Sequence, residues 1–376
     1  MFNKNELSVL QSLHQTCKKQ NFSFVSFALP YNDKVKTFVQ YASKPCVLNG
    51  FENIEQESGF LFAPFTIDKH GAYLIEPDAV FDTYTEKIVL PDFSNNEPIK
   101  RTLKNNTSST LKDDFVTQIA YIKRQIVNKL VEKVVLSRIN VEQLSADFSI
   151  TSLFIKLCNS YPHAFKYVID IPGVGCWMGA SPEPLVLMQH DVVKTVALAG
   201  THKLNGILVD DFSWGIKELD EQEIVAKYIE SQLKVFGIND YKKSGPTNYK
   251  AANVIHLKST FEFNSDLLKN SLGKWLTALH PSPSVCGLPK EKALDILEFL
   301  EWHDRAYYAG VVGTIGNEAG ANLYVNLRCM SIDGDKAILY AGAGITAGSN
   351  PDAEWDETEQ KLQTLLSVMH SSTPVI

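Results

Sequence analysis

Apolar positions along the chain follow two rhythms, one of period two and one of helical period, and the alternation between them outlines the fold. FSFVSFAL (22–29), GFLFAPF (59–65) and AYLIEPDAVF (72–81) are rich in β-branched and aromatic residues and are interrupted by Pro and Gly. Residues 1–110 therefore read as short strands and loops. The polar run SNNEPIKRTLKNNTSSTLKDD (94–114) reads as an exposed loop. Phe115, Ile119, Ile122, Ile126 and Leu130 then recur at helical spacing and predict one face of an amphipathic helix. KVVLSRINV (133–141) predicts a buried strand. Beyond it the pattern predicts helices over 149–160, 217–236, 265–279, 290–301 and 353–369. Strands are predicted over 164–171, 184–199, 253–263, 307–316, 321–332 and 335–342. There is no internal repeat and no regular βαβ alternation. Strands in adjacent pairs with helices between the groups predict an α+β fold, antiparallel sheets covered by helices.

The length of 376 residues allows one large domain or two ordinary ones. A net charge of −7 excludes the broad basic footprint of a nucleic-acid binder. No apolar run approaches the length of a membrane span. The start, MFNKNELSVLQSLHQTCKKQ, lacks the apolar core of a signal peptide. Six cysteines without CxxC spacing read as reduced thiols of a cytosolic protein, not as a disulfide frame or a zinc site.

Candidate chemistry concentrates in YAGAGITAGSNPDAEWDETEQK (340–361). Its glycines let a backbone approach a ligand, and exposed N–H groups in such a turn suit an anion. Glu354, Glu357 and Lys361 follow at helical spacing on one face. The combination points to a small, multiply charged substrate held with a divalent ion. Taken alone, Glu357 and Lys361 read equally as a surface pair four residues apart. Glu183 sits in Ser-Pro-Glu-Pro, whose prolines fix the backbone around a carboxyl group. Arg328, in YVNLRCMSI, alternates with apolar neighbours on an expected strand. An inward arginine needs a partner: a substrate carboxylate, or an internal acid such as Glu301. GVVGTIGNEAG (310–320) reads as a hairpin turn, because no Rossmann-type strand–turn–helix surrounds it.

Four segments in register carry a family resemblance: KVVLSR (133–138), GASPEPLV (179–186) followed by LAGT (198–201), LHPSPSVCGLP (279–289), and YAGAGI with EWDETEQK (340–361). Over residues 115–370 the chain resembles the chorismate-utilising enzymes, most closely their isochorismate synthase branch. The resemblance implies a single large domain of two packed antiparallel sheets covered by helices (α/β/β/α), with the site in a cleft at the sheet margin. It implies magnesium-dependent conversion of chorismate to isochorismate. Salicylate synthase, which goes on to eliminate pyruvate, and a chorismate-binding protein without turnover are the alternatives.

Residue roles follow from the same resemblance. Lys133 is the base that activates water, where ammonia-using relatives typically carry Gln; on its own it reads as a strand-edge lysine. A lysine serves as base only when neutral, which burial favours. Glu183 is the general acid that protonates the departing hydroxyl. Glu221 and Glu357 are the magnesium ligands, with Glu218 and Glu354 in reserve. Gln222 replaces the histidine that usually follows the first of these acids. Arg328 and the turn at Gly342 hold a carboxylate, and Lys361 adds charge there. Gly200 and Thr201 line the pocket and His256 packs near the substrate ring. Ala199 stands where aminodeoxychorismate enzymes carry Lys, and Ser284 where isochorismate synthases often carry Ala. The expected partner is chorismate alone: no nucleic acid, no membrane and no obligate glutaminase, in a monomeric cytoplasmic enzyme serving menaquinone or siderophore synthesis.

Overall fold

The computed structural model describes residues 4–371 apart from 53, 84, 86–89, 92–107, 204–208, 210–211, 252–253 and 317–319. The chain begins with α1 (Lys4–Gln20), β1 (Ser23–Ala28), β2 (Lys36–Gln40), β3 (Cys46–Leu48), β4 (Gly59–Ala63), β5 (Ala72–Ile75) and β6 (Ala79–Asp82). It continues through α2 (Lys112–Val127), β7 (Lys133–Gln143), α3 (Ile150–Ser160), β8 (Phe165–Ile171), β9 (Gly175–Ser181), β10 (Pro184–Gln189), β11 (Val192–Lys203) and α4 (Ile216–Val235). Next come β12 (Lys242–Ala251), β13 (Val254–Asn264), α5 (Leu272–Leu279), β14 (Gly287–Leu288) and α6 (Lys290–Leu300). The last elements are β15 (Val311–Gly316), β16 (Gly320–Val325), β17 (Cys329–Asp333), β18 (Lys336–Ile345) and α7 (Pro351–Met369).

Among the described residues the strands form two nine-stranded antiparallel sheets. One runs β14-β7-β18-β17-β9-β8-β1-β2-β6 and the other β12-β13-β11-β10-β16-β15-β4-β5-β3. Period-two patterning explains why they pack. On β8, Phe165, Tyr167, Ile169 and Ile171 face the core between the sheets, with Phe27, Phe60, Phe62 and Trp177. Phe165 stacks on Tyr324 of the opposite sheet with ring centroids 4.4 Å apart. Val168 points the other way, into a second core with Phe154 and Leu157 of α3. Burying each such side chain is worth about 1.5–3 kcal/mol. The second core closes the outer face of the first sheet with Leu13 and Cys17 of α1 and Leu362 and Leu365 of α7. Helix α4 covers the other sheet across β11 and β13, and α5 packs beside it. The α+β expectation of two helix-covered antiparallel sheets is met.

Two of the places where the chain passes from one sheet to the other lie side by side, and these build the site. Strand β9 belongs to the first sheet and β10 to the second, so residues 182–183 form one crossing. Strands β16 and β17 make the return crossing at 326–328. The crossings are tied together: Val325 N donates to Glu183 O (3.0 Å) and Ala180 N donates to Arg328 O (3.0 Å). Tyr167 Oη donates to Asn326 Oδ1 at 2.7 Å. Arg328 takes a left-handed φ of +49°, an uncommon conformation for a side-chain-bearing residue that the two crossings impose.

Several expectations are corrected. Residues 4–20 form a helix, not strands and loops. The strand expected over 184–199 is a hairpin that turns at His190, φ +52°. The helix expected over 265–279 breaks at Asn270, φ +60°, into a short 3-10 turn and α5. The strand expected over 321–332 breaks at the sheet crossing. Leu130 lies beyond α2 and is exposed. Most of the loop expected over 94–114 lies outside the described residues, as does the hairpin turn at 317–319, whose flanking strands do pair.

Candidate active site

The glycine-rich stretch 340–345 is not a turn. It is the end of β18, paired residue by residue with β7, Gly342 opposite Ser137 and Gly344 opposite Val135. This corrects the expected anion-binding turn at Gly342. The glycines serve clearance instead. A Cβ on Gly344 would lie 2.2 Å from Glu221 Oε1 and 2.9 Å from Lys133 Cε, and one on Gly342 would lie 2.9 Å from the Tyr308 hydroxyl.

Helix α7 begins where Asn350 Oδ1 accepts from Ala353 N (3.1 Å) and Pro351 takes the first helical position. That start turns Glu354, Glu357 and Lys361 toward β18. Lys361 Nζ donates to Gly342 O at 2.8 Å and pairs with Glu357 at 2.7 Å. Helix α4 brings Glu221 in from the other sheet. Lys133, fully buried at the start of β7, lies 2.8 Å from Glu221 Oε1. Its Nζ makes no hydrogen bond among the described residues. Burial would raise the Glu221 carboxyl, but Lys133 and then Lys217 hold it below the usual carboxylate range.

Lys217, which the sequence reading missed, stands among three carboxylates. Its Nζ is 3.0 Å from Glu354, 3.7 Å from Glu221 and 3.9 Å from Glu357. The four-residue spacing from Lys217 to Glu221 was the available signal. Burial pushes the Glu354 carboxyl above its usual range, with the neighbouring Glu357 adding to the rise against the pull of Lys217. Glu354 Oε2 is buried without a hydrogen-bond partner. Glu218 forms no ion pair with this group among the described residues; its carboxylate lies over Gly215.

The carboxylates suit a hard divalent cation, since they are all-oxygen donors and one buried oxygen lacks a partner. Among the described residues no three carboxylate, imidazole or thiolate groups converge closely enough to cage a metal unaided. A half-site of one or two carboxylates completed by substrate and water is the usual arrangement for magnesium.

Glu183, at the first crossing, is buried, and Ser284 Oγ donates to its Oε1 at 2.7 Å. Burial lifts its carboxyl to about 7, against the lowering effects of the Ser284 hydrogen bond and then of Lys133, Lys361 and Arg328. The sequence reading singled out Ser284 but gave no sign of this contact. Arg328, at the second crossing, forms no ion pair among the described residues. Glu301, the internal alternative, is taken by Arg305 at 2.6 and 2.7 Å. Arg305 also donates to Val285 O (2.8 Å) and Val135 O (2.6 Å), which fixes two stretches of the cavity wall.

His256 Nδ1 lies 2.8 Å from Gly200 O, and burial lowers the His256 imidazole to about 3, so the ring is neutral. Gly200 has a φ of +67°, and a Cβ there would strike Trp214 at 2.7 Å. The Thr201 side chain lies outside the described residues. Gln222 donates to Ser259 Oγ on β13 at 2.7 Å and ties α4 to the sheet beside Glu221.

One cavity joins most of these groups. Glu183, Gly200, Glu221, His256, Arg328, Gly342, Glu357 and Lys361 all line it, together with Ser284, Val285, Leu198, Leu327, Tyr308 and Tyr340. Lys133 reaches the group from behind, through Glu221. An acid near neutrality, an unpaired arginine and a carboxylate cluster thus surround a space walled on its other sides by apolar and aromatic side chains. That is a site for a small polyanion with a carbon ring.

Comparison with known proteins gives the family. Residues 9–370 match the family model described as chorismate binding enzyme, and the chain belongs to that family. It is 27% identical over 354 residues to isochorismate synthase MenF of Bacillus subtilis, covering 88% of this chain and 74% of that protein. It is 30% identical over 246 residues to isochorismate synthase EntC of Escherichia coli K12, covering 63% of this chain and 62% of that protein. The fold is shared with the crystal structure of a protein from Bacillus anthracis described as a 2,3-dihydroxybenzoate-specific isochorismate synthase, DhbC. That match has a TM-score of 0.78 at 21% identity and covers 96% of this chain and 99% of the other.

Proposed function

We propose that the protein is an isochorismate synthase, converting chorismate to isochorismate in the cavity between the two sheet crossings. The observation that carries this reading is Glu183. It is a buried carboxyl group lifted to about 7, and it lines the same cavity as Arg328, which forms no ion pair among the described residues, and Glu221, which Lys133 pairs from behind. A carboxylic acid protonated near neutral pH is the group needed to give a proton to a departing hydroxyl.

In this reading Lys133 takes a proton from a water molecule that adds at C2, the ring double bonds shift, and Glu183 protonates the hydroxyl leaving C4. Arg328 pairs with a substrate carboxylate, and Lys361 adds positive charge beside it. Neutral His256 packs against the ring and adds no charge. Glu221 and Glu357 would hold a magnesium ion, with Glu354 Oε2 available to it. When bound, the ion would neutralise the ring carboxylate and compete with Lys133 for Glu221. The chain's own contribution is positioning in a site made of rigid strand ends. The relatives named isochorismate synthase support the choice of reaction. A single catalytic unit acting without a glutaminase partner completes the reading.

The test is incubation of the purified protein with chorismate and magnesium, with products separated by chromatography. Isochorismate as sole product is expected. Salicylate with pyruvate would assign the two-step reaction instead, and saturable binding without conversion would make the protein a chorismate binder.

A further inference from the structure

From Glu183 a chain of hydroxyl groups leads past Ser284, which also lines the substrate cavity, toward a second, smaller cavity, the rear cavity. Ser284 Oγ donates to Glu183 Oε1 at 2.7 Å, and Ser282 Oγ lies 2.6 Å from Ser284 Oγ. Because the Ser284 proton is committed to the carboxylate, the proton between the serines comes from Ser282. Ser282 is nearly buried and borders a cavity of about 10 Å³ that Glu183, Ser284, Thr195 and Tyr228 also line. That volume is about what one water needs. Thr195 Oγ1 and the Tyr228 hydroxyl spend their protons on the carbonyls of Leu185 (2.7 Å) and Ala278 (2.5 Å), which leaves each with only acceptor capacity toward a water. The segment is held in place because Ser282 O accepts from both Val285 N (3.0 Å) and Cys286 N (2.9 Å).

The proposed reaction gives this chain a task, and the inference rests on that reading. Isomerisation takes up and releases one water, so its net proton count is zero. The two protein groups nevertheless finish exchanged, with Lys133 carrying an extra proton and Glu183 lacking one. Glu183 must be reloaded before the next turnover. We infer that Ser284 and Ser282 form a proton relay that recharges Glu183 from the rear cavity. The Ser284 hydroxyl proton passes to the carboxylate, the Ser282 proton replaces it, and a water proton replaces that of Ser282. One O–H bond forms for each that breaks; one proton enters at the rear cavity and the extra proton on Lys133 leaves to solvent, so the cycle closes. The route lets Glu183 regain its proton without solvent entering the substrate cavity. Ser284 thereby acts as a positioning residue for the acid, and its hydroxyl offsets part of the burial that lifts Glu183.

Ser282→Ala separates delivery from positioning, because it leaves the Ser284–Glu183 hydrogen bond intact. The experiment measures kcat and KM for chorismate in H2O and D2O for the wild type, Ser282→Ala, Ser284→Ala and Ser284→Thr, with melting temperatures as a check on folding. Ser282→Ala is expected to lose about tenfold in kcat, keep its KM within about twofold, and show a larger solvent isotope effect than the wild type. Ser284→Ala is expected to show the same loss and to move the alkaline limb of the rate profile upward. Ser284→Thr, which keeps the hydroxyl, is expected to retain most activity. Wild-type kcat and isotope effect in a folded Ser282→Ala protein would overturn the relay. A wild type that does not turn over chorismate would instead overturn the proposed reaction.

Discussion

Lys217 Nζ lies 3.0 Å from Glu354 Oε1, and this ammonium is the positive charge common to all three carboxylates of the site. A cation is thus built into the place where the chain gathers its hard oxygen ligands. Replacing it leaves the buried Glu354 carboxylate without its ion-pair partner, a loss of about 3–5 kcal/mol. Lys217→Met should melt well below the wild type without magnesium. Added magnesium should recover more of that loss than it adds to the wild-type melting temperature. A variant whose melting curve ignores magnesium would remove the cluster from consideration as a cation site.

The acid and base predictions are independent of metal. Glu183→Gln removes the transferable proton while keeping size, and Lys133→Gln removes the base. Each should lower kcat by a factor of about 10²–10⁴. Circular dichroism should be unchanged for both. Lys133→Gln should also melt lower, because Glu221 loses an ion-pair partner 2.8 Å away. Full turnover by either variant would sink its assigned role.

Several candidate groups stand out in the sequence because each carries an oddity: a glutamate between prolines, an arginine among apolar residues, carboxylates at helical spacing; Lys133 carries none and is singled out only by the family resemblance. The helices over 150–160, 216–235, 290–300 and 351–369 were legible as well, since their apolar stripes pack on one sheet face. Less legible was whatever depends on the meeting of distant segments. The sheet crossings at Glu183 and Arg328 carry no local signal, so the second reads as continuous strand. The Gly342–Gly344 segment looks like a turn because small residues suit both a turn and a strand crowded by its neighbours. Only the positions of Tyr308, Glu221 and Lys133 decide between them. Helix α1 was readable, with Leu10, Leu13 and Cys17 three to four residues apart, but its charged and polar remainder masks the stripe.

Gly344→Ala tests that crowding. A Cβ there would lie 2.2 Å from Glu221 Oε1 and 2.9 Å from Lys133 Cε, so the pair must move apart or turn away. The strand backbone accepts alanine, and the protein should fold. A displacement of about 1 Å in such a site costs about a hundredfold in rate, and kcat should fall by at least that much. Unchanged kinetics would mean that the position of the Lys133–Glu221 pair is not critical to catalysis.

The rate profile should carry the signature of Glu183. Its carboxyl, raised to about 7, is protonated below that pH and ionised above it. As the general acid it works only when protonated, so kcat should decline as pH rises through about 7. The decline should vanish from the residual activity of Glu183→Gln. A profile flat from pH 6 to pH 8.5 would assign proton donation to another group.

Stability should depend on pH with the opposite sign, through buried histidines. Burial lowers His14 and His256 to about 3 and His280 to about 4. His14 is held neutral between Thr151 Oγ1 (2.8 Å) and Ser26 Oγ (2.7 Å), inside the core beneath α1. Their unfolded value is near 6.5, so the unfolded chain binds protons that the native protein refuses below that pH. The stabilisation is complete above about 6.5 and is lost as pH falls toward 3–4. Each histidine contributes about 1.4 kcal/mol per pH unit within that window. Glu183 acts the other way: the native protein holds its proton between about 4.5 and 7, so its contribution is present at low pH and is lost as pH rises through 7. Three protons against one leave the acid loss dominant between pH 6 and 5. Chemical denaturation at pH 7.5, 6 and 5 should therefore show stability falling steeply over the last step, and His14→Gln should flatten the slope by about half. Equal stability at pH 6 and pH 5 would mean that these imidazoles titrate normally in the folded protein.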